Sequence, residues 1–145
     1  DVHGSGLVLR GAALAEFPEI QLVDTQNGRQ DRSVALGVVE NMIQSKPTLA
    51  GIFSVNDGGA MGALAAIQGS GKDIKLVSVD GAPEAVKAIA EGGPFIETTA
   101  QFPRDQVRVG LAMALAQKWG ARVVPKEVPI DVMVVDAKNA AEFSW

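Results

Sequence analysis

The sequence predicts an α/β domain built around a parallel sheet. Short apolar segments of strand length alternate with segments of helical apolar spacing along the whole chain of 145 residues. The helical stretches between the strands are long enough to serve as crossovers between parallel strands. The two central strands are apolar throughout, which is typical of a sheet that helices cover on both faces. We therefore expect a three-layer α/β domain.

Five helices and five strands are predicted in strict alternation, beginning with a helix over residues 5–17 that ends before Pro18. Asp31 has the position of an N-cap for the second helix, which Lys46 and Pro47 end. The predicted strands cover residues 20–23, 49–55, 74–79, 95–100 and 128–135.

Glycine and proline mark the limits of the later helices. A helix of small residues is predicted over 58–68, with Asp57 as its N-cap and a structural role for that residue. Pro83 fits the first position of the next helix, which Gly92 and Gly93 end. The longest helix begins at Pro103 or Arg104 and ends before Gly120, and residues 139–143 predict one helical turn.

The composition excludes several classes of protein. With 47% hydrophobic and 21% charged residues the chain is folded and globular rather than disordered. A net charge of −4 leaves no basic stripe that would bind nucleic acid. The sequence has no cysteine and one histidine, His3, so we predict no metal site and no cofactor. No apolar run reaches the length of a membrane span.

Polar residues follow three consecutive strands of the predicted sheet. They are Asn56, Asp80 and Gln101. Ligands of open parallel sheets bind beyond the carboxyl ends of the strands. Asparagine and glutamine offer both donors and acceptors, whereas an ionised aspartate only accepts, and this mixture suits vicinal hydroxyl groups better than a phosphate. The sequence therefore predicts a site for a hydroxyl-rich ligand at this edge.

Helix capping is the alternative role for Asn56 and Asp80, because both residue types are common N-caps. It does not explain Gln101, since glutamine is a poor cap. The segment from Gly69 to Lys72 resembles a phosphate loop, but it precedes a strand and lacks the upstream glycine. A small α/β enzyme of hydrolase or receiver type is disfavoured because the sequence offers no credible pair of nucleophile and base.

The segments that carry these three residues resemble those of periplasmic type I sugar-binding proteins, and the ribose-binding-like members above all. The similar segments are GIFSVND at 51–57 with MGAL at 61–64, VSVDG at 77–81, TTAQFP at 98–103 and PIDV at 129–132, together with Arg10 in the first helix. They are spread over nearly the whole chain, which makes the resemblance specific.

The resemblance implies a periplasmic, non-catalytic protein that closes two lobes on a small sugar or polyol and delivers it to the membrane permease of an ABC importer. The family's ligand contacts fall on Asn56, Asp80 and Gln101. At two further contact positions the sequence has Val8 where the family has an arginine, and Gln30 where the family has an aromatic ring. The expected ligand is therefore a small polyhydroxylated molecule rather than ribose in particular.

Members of this family begin with an N-terminal lobe, and the resemblance implies that the present sequence corresponds to the C-terminal lobe. We therefore expect residues 1–145 to form a single α/β lobe, the C-terminal half of a two-lobed protein of the periplasmic-binding-protein-like I fold. Apolar surface that faces the other lobe would favour self-association of the isolated half. The effector-binding lobe of a LacI-type regulator shares this fold and these motifs, and stays as the alternative function. No nucleic-acid contact is expected from these residues themselves.

Overall fold

A computed structural model describes residues 14–145 of the chain. Residues 14–16 are helical, and complete helices and strands then alternate. In chain order they are α1 (Arg32–Ser45), β1 (Gly51–Phe53), α2 (Asp57–Ser70), β2 (Lys75–Asp80), α3 (Pro83–Glu91), β3 (Phe95–Ala100), α4 (Pro103–Lys118) and β4 (Met133–Asp136). The predicted α/β class is confirmed. No helix in this part of the chain has the length and apolarity needed to cross a membrane.

The four strands form one sheet in the order β1-β2-β3-β4. The first three strands are parallel, as predicted, and α2 and α3 connect them. Strand β4 pairs antiparallel with β3, so the expectation of an entirely parallel sheet is wrong at this edge. A parallel neighbour requires a helix that packs back along the sheet. Helix α4 has no buried residue against the rest of the described chain, and it does not provide that crossover.

The hydrophobic core lies between one face of the sheet and helices α1 to α3. Leu76 on β2 is buried on this face, whereas the alternate residues Val77 and Val79 are only half-buried by the described residues. The largest fully buried apolar side chains are those of Phe95, Ile67, Ile74, Leu76, Ile89 and Val135. This face therefore carries the packing that holds β1, β2 and β3 in register.

Helices α1 and α2 approach each other closely at Gly62. A Cβ atom at this position would lie 2.1 Å from the carbonyl oxygen of Arg32, a distance that real Cβ atoms do not reach. The small residues that make α2 unusual in sequence thus have a packing function. Asp31 caps α1 as predicted, because its side chain accepts a hydrogen bond of 2.9 Å from the amide of Val34.

Two predicted strands differ strongly from the structure, and a third, predicted over 49–55, is shortened to Gly51–Phe53. Residues 20–23 have no regular secondary structure and join no sheet of the described chain, and Ile20, Leu22 and Val23 are exposed. The predicted strand over 128–135 is reduced to Met133–Asp136, since only these residues pair with β3. Both segments alternate in the manner of strands, but a strand requires a neighbour with free hydrogen-bonding groups.

Candidate functional site

The carboxyl ends of the parallel strands bring the three predicted residues to one edge of the sheet. The side-chain amide of Gln101 donates a hydrogen bond to Asp80 Oδ1 over 3.2 Å. The main-chain amide of Asp57 donates to Asp80 Oδ2 over 3.3 Å, and Asn56 precedes Asp57 directly. We call Asn56, Asp80 and Gln101 the polar rim. All three side chains are half-buried, so each is partly accessible from solvent.

Asn56 joins the rim to the start of α2. Its Oδ1 accepts a hydrogen bond of 3.2 Å from the amide of Gly59, which makes Asn56 the N-cap of this helix. The prediction that Asp57 is the N-cap is therefore wrong, and Asp57 is the first residue of the helix. Capping does occur at Asn56, as the alternative interpretation held, but not at Asp80, because Ala82 has the N-cap position of α3.

Gln30 lies beside Asn56, and its main-chain oxygen accepts a hydrogen bond of 3.3 Å from Asn56 Nδ2. Arg29 and Gln30 form a tight turn with φ values of 52° and 56°, in the left-handed region. This turn brings the Gln30 carbonyl to the rim. Gln30, one of the two further contact positions that the resemblance implies, therefore lies next to Asn56. Val8, the remaining predicted site residue, lies outside the described residues.

Asp57 forms a buried hydrogen-bonding centre beneath the rim. Its side chain is 1% exposed. Oδ1 accepts hydrogen bonds from the hydroxyls of Ser78 and Thr98, the latter over 2.8 Å, and Oδ2 accepts one of 2.6 Å from the amide of Ala82. These donors satisfy a carboxylate that would otherwise be costly to bury. The structural role predicted for Asp57 is therefore present, in a form other than capping.

The backbone at Asp80 has an uncommon conformation. Its φ of 130° lies in a region that residues with a side chain seldom adopt, and Gly81 follows with a φ of 80°. A Cβ atom on Gly81 would lie 2.5 Å from Cβ of Ala100 on the neighbouring strand. Gly81 is therefore required for two reasons, its conformation and its closeness to β3. The turn directs the Asp80 carboxylate to the edge of the sheet.

Partial burial raises the pKa of Asp80 above its ordinary value, and the negative charge of Asp57 adds to the increase. The hydrogen bonds from the amide of Asp57 and from Gln101 oppose it, because they favour the ionised form. The Asp80 carboxylate is thus a hydrogen-bond acceptor whose negative charge is only partly compensated by the described residues. A ligand hydroxyl that donates to this carboxylate would stabilise the ionised form further.

The rim retains hydrogen-bonding capacity for a ligand. The contacts from Asp57 and Gln101 use two of the roughly four lone-pair positions on the Asp80 carboxylate. Gln101 uses one N–H of its amide on Asp80, and Asn56 uses one N–H on Gln30. The remaining N–H groups, the Gln101 oxygen and the free Asp80 lone pairs match hydroxyl groups that both donate and accept.

Aromatic residues lie next to Gln101 along the chain. The rings of Phe102 and Trp145 meet edge to face, with centroids 6.4 Å apart. Together with Pro103, Arg104, Asp105 and Arg108 they line an open cavity of about 410 Å³. Asn56, Asp80 and Gln101 do not line this cavity, and each is partly exposed at the edge of the sheet. The described residues contain no cluster of His, Cys, Asp or Glu that could hold a metal ion.

Sequence reasoning missed Ser78 and Thr98, which are fully buried although polar. Both occupy inward-facing positions of strands whose other inward residues, such as Leu76 and Phe95, are apolar. A hydroxyl residue at such a position predicts a buried hydrogen-bond partner. That signal, together with an acidic residue at the start of the adjacent helix, could have located the buried centre.

Comparison with known proteins identifies the family. Residues 9–121 match the model of the periplasmic binding protein domain. The chain belongs to this family. The similar proteins reported below are named as binding proteins, and the predicted type of fold is confirmed.

Individual members of the periplasmic binding protein family are clearly similar to the chain. The D-allose-binding periplasmic protein of Escherichia coli is 34% identical over 140 residues, which are 93% of this chain and 45% of that protein. The ribose import binding protein of Haemophilus influenzae is 35% identical over 105 residues, 72% of this chain and 35% of that protein.

The same relationship appears in three dimensions. The crystal structure of a periplasmic solute binding protein of an ABC transporter from Actinobacillus succinogenes, with bound D-allose, superimposes with a TM-score of 0.83 at 30% identity. The superposition covers 91% of this chain and 47% of that one. The chain thus spans less than half the length of the relatives it matches.

Proposed function

We propose that the chain forms one lobe of a sugar-binding component of an ABC-type importer, and that Asn56, Asp80 and Gln101 hold the ligand. The observation that carries this proposal is the position of three side chains after three neighbouring strands at one edge of the sheet, where Gln101 donates to Asp80 and the residue after Asn56 donates to Asp80 through its main chain. Open parallel sheets bind ligands at this edge.

The chemistry of the rim supports a small sugar or polyol as the ligand. A carboxylate beside two amides can pair with vicinal hydroxyls, each of which donates one hydrogen bond and accepts others. The rim and its described surroundings provide no lysine or arginine that forms an ion pair with Asp80, so an anionic ligand would meet an uncompensated negative charge. Relatives that bind D-allose and ribose agree with this class of ligand.

The arrangement of two lobes is supported by the length of the relatives and by the exposure of α4. A rim that is open to solvent on one side would be covered by a second lobe, which would bury the ligand and raise the affinity. The proposal includes delivery to a membrane permease and a location outside the cytoplasm, in the periplasm where the cell has one. These follow from the relatives that are named as periplasmic and import proteins.

The test is calorimetric titration of the complete gene product with D-allose and with D-ribose. Asp80→Ala is expected to weaken the binding of the sugar that binds wild type by about 2–4 kcal/mol, because it removes a charged acceptor and leaves ligand hydroxyls unpaired. Asp73→Ala is the matched control, since Asp73 is an exposed residue just before the opposite end of the same strand. Equal affinities in wild type and Asp80→Ala would refute the site.

We further propose that the isolated 145-residue chain self-associates through α4, where Val107 and Leu111 are exposed. Sedimentation equilibrium is expected to show dimers or larger species that dissociate in a Val107→Ser, Leu111→Ser variant. A monomeric wild-type chain would contradict the proposal. The effector lobe of a regulator gains no support from any contact at the rim.

A further inference from the structure

The buried carboxylate of Asp57 lies directly beneath the proposed ligand acceptor, although its side chain is shielded from solvent and from any ligand. It contacts the turn that follows Asp80 rather than Asp80 itself. Its main-chain amide, by contrast, contacts the Asp80 carboxylate. Asp57 therefore contacts the Asp80 carboxylate through its main-chain amide and the turn after Asp80 through its side chain.

The amides of Gly81 and Ala82, the two residues that follow Asp80, are both anchored on this carboxylate. Ala82 donates to Asp57 Oδ2 over 2.6 Å. Gly81 donates to Thr98 Oγ1 over 3.2 Å, and the same hydroxyl donates to Asp57 Oδ1 over 2.8 Å. The Thr98 hydroxyl thus links the amide of Gly81 to the Asp57 carboxylate.

The anchored turn includes the strained backbone of Asp80. A residue with a positive φ of 130° keeps that conformation only when its surroundings fix it. On the carboxyl side these surroundings are the two anchored amides, and the Asp80 carbonyl oxygen accepts a further hydrogen bond of 3.0 Å from the amide of Gln101. Without the anchors the backbone at Asp80 would relax toward a common conformation and redirect its side chain.

We propose that Asp57 is a positioning residue for ligand binding, which fixes the Asp80–Ala82 turn through Ala82 and through Thr98 and so aims the Asp80 carboxylate at the ligand. This inference rests on the proposed function. Neither helix capping nor core packing accounts for a buried carboxylate at position 57. Asn56 already caps α2, and a carboxylate contributes no apolar contact.

The central variant is Asp57→Asn, tested by calorimetric titration of the complete gene product with D-allose and D-ribose. An asparagine oxygen can still accept from the two hydroxyls, but its NH₂ group would then face the amide of Ala82, a donor against a donor. Affinity for the bound sugar is expected to fall about tenfold to a hundredfold. Ile67→Val, a buried change in α2, is the control that lowers stability without altering affinity.

A double-mutant cycle separates positioning from a general loss of structure. If Asp57 acts through Asp80, then Asp57→Asn should reduce affinity much less in an Asp80→Asn background than in wild type. Equal reductions in both backgrounds would overturn the proposal, and so would a stability loss with unchanged affinity. Wild-type protein that binds neither sugar would instead refute the proposed function, and the inference with it.

A second pair of variants decides the question if Asp57→Asn does not fold. Thr98→Val keeps the shape of the side chain but removes the acceptor for Gly81 and the donor to Asp57, so affinity should fall. Thr98→Ser restores the hydroxyl and should return most of the affinity. An affinity of Thr98→Val equal to that of Thr98→Ser would overturn the proposal.

Discussion

Two consecutive parts of the chain, residues 51–101 and residues 103–132, contrast sharply in the way they are held. The first contains β1 to β3, a continuous buried core and a fully paired buried carboxylate. The second contains α4, whose apolar residues Val107 and Leu111 are exposed, and a following segment without regular structure. A regular helix can therefore form in the structure although its apolar face packs against no other described element.

The contrast teaches where the stability of the chain resides. Burial of apolar surface is the main favourable contribution to folding, and in the described structure the first part supplies most of it. The proposed second lobe would give α4 the partner that its sequence pattern indicates. Substitutions placed in each part can break or sharpen this difference, and those in the core should have the largest effect.

The same substitution in both parts gives the most direct test. Leu76 is 0% exposed and Leu111 is 59% exposed. Leu76→Ala is expected to lower the free energy of unfolding by about 2–5 kcal/mol, because it leaves a cavity in the core. Leu111→Ala should change it by less than about 0.5 kcal/mol in the isolated chain at a dilution where the chain is monomeric. Urea denaturation of both variants, followed by circular dichroism, measures the difference.

Comparable losses in these two variants would mean that α4 is packed within the monomer and would remove the contrast. In the complete gene product the proposed second lobe should cover α4, and there Leu111→Ala should become clearly destabilising. No such increase would argue against the arrangement of two lobes.

A second test compares two glycines of α2. Gly62→Ala would force the backbones of α1 and α2 apart, and we expect a loss of about 1–3 kcal/mol. A Cβ atom at Gly69 would have no neighbouring atom within 4 Å, so Gly69→Ala should gain about 0.5 kcal/mol from helix propensity. Thermal denaturation of the two variants should therefore shift Tm in opposite directions. Shifts of the same sign would show that the two helices are not in close contact at Gly62.

The smallest expected effect concerns the ionisation of Asp80. Because its pKa is raised, ligand affinity should begin to fall on acidification at a higher pH than the ordinary value of 3.8 would give. The contribution of Asp80 to stability should change in the opposite sense. The folded state binds this proton more tightly than the unfolded state, so the contribution is present at low pH and is lost as pH rises through the folded pKa.

Asp80→Asn provides the reference for both effects. Titration of the sugar at a series of pH values should give a flatter profile for this variant than for wild type, and chemical denaturation over the same range should show the stability difference. Identical pH profiles in wild type and Asp80→Asn would exclude Asp80 as the titrating group.

Much of the fold could be predicted because local signals and packing agree. Strand β3 has the predicted limits, Asp31 and Pro83 begin their helices as expected, and the polar rim lies at the predicted sheet edge. The segment 20–23 and the direction of β4 could not be predicted, since both depend on which strands are adjacent. Periodicity describes a strand's faces but does not identify its neighbour.

The sequence by itself determined the succession of helices and strands from α1 onward and the three polar residues that follow β1, β2 and β3. These follow from residue type and spacing, which are local properties. Only the tertiary structure decided that Asp57 turns inward to Ser78, Thr98 and Ala82 instead of capping α2, and that Asp80 has a strained backbone. Such hydrogen bonds join residues distant in sequence, and they exist only once the strands are aligned side by side.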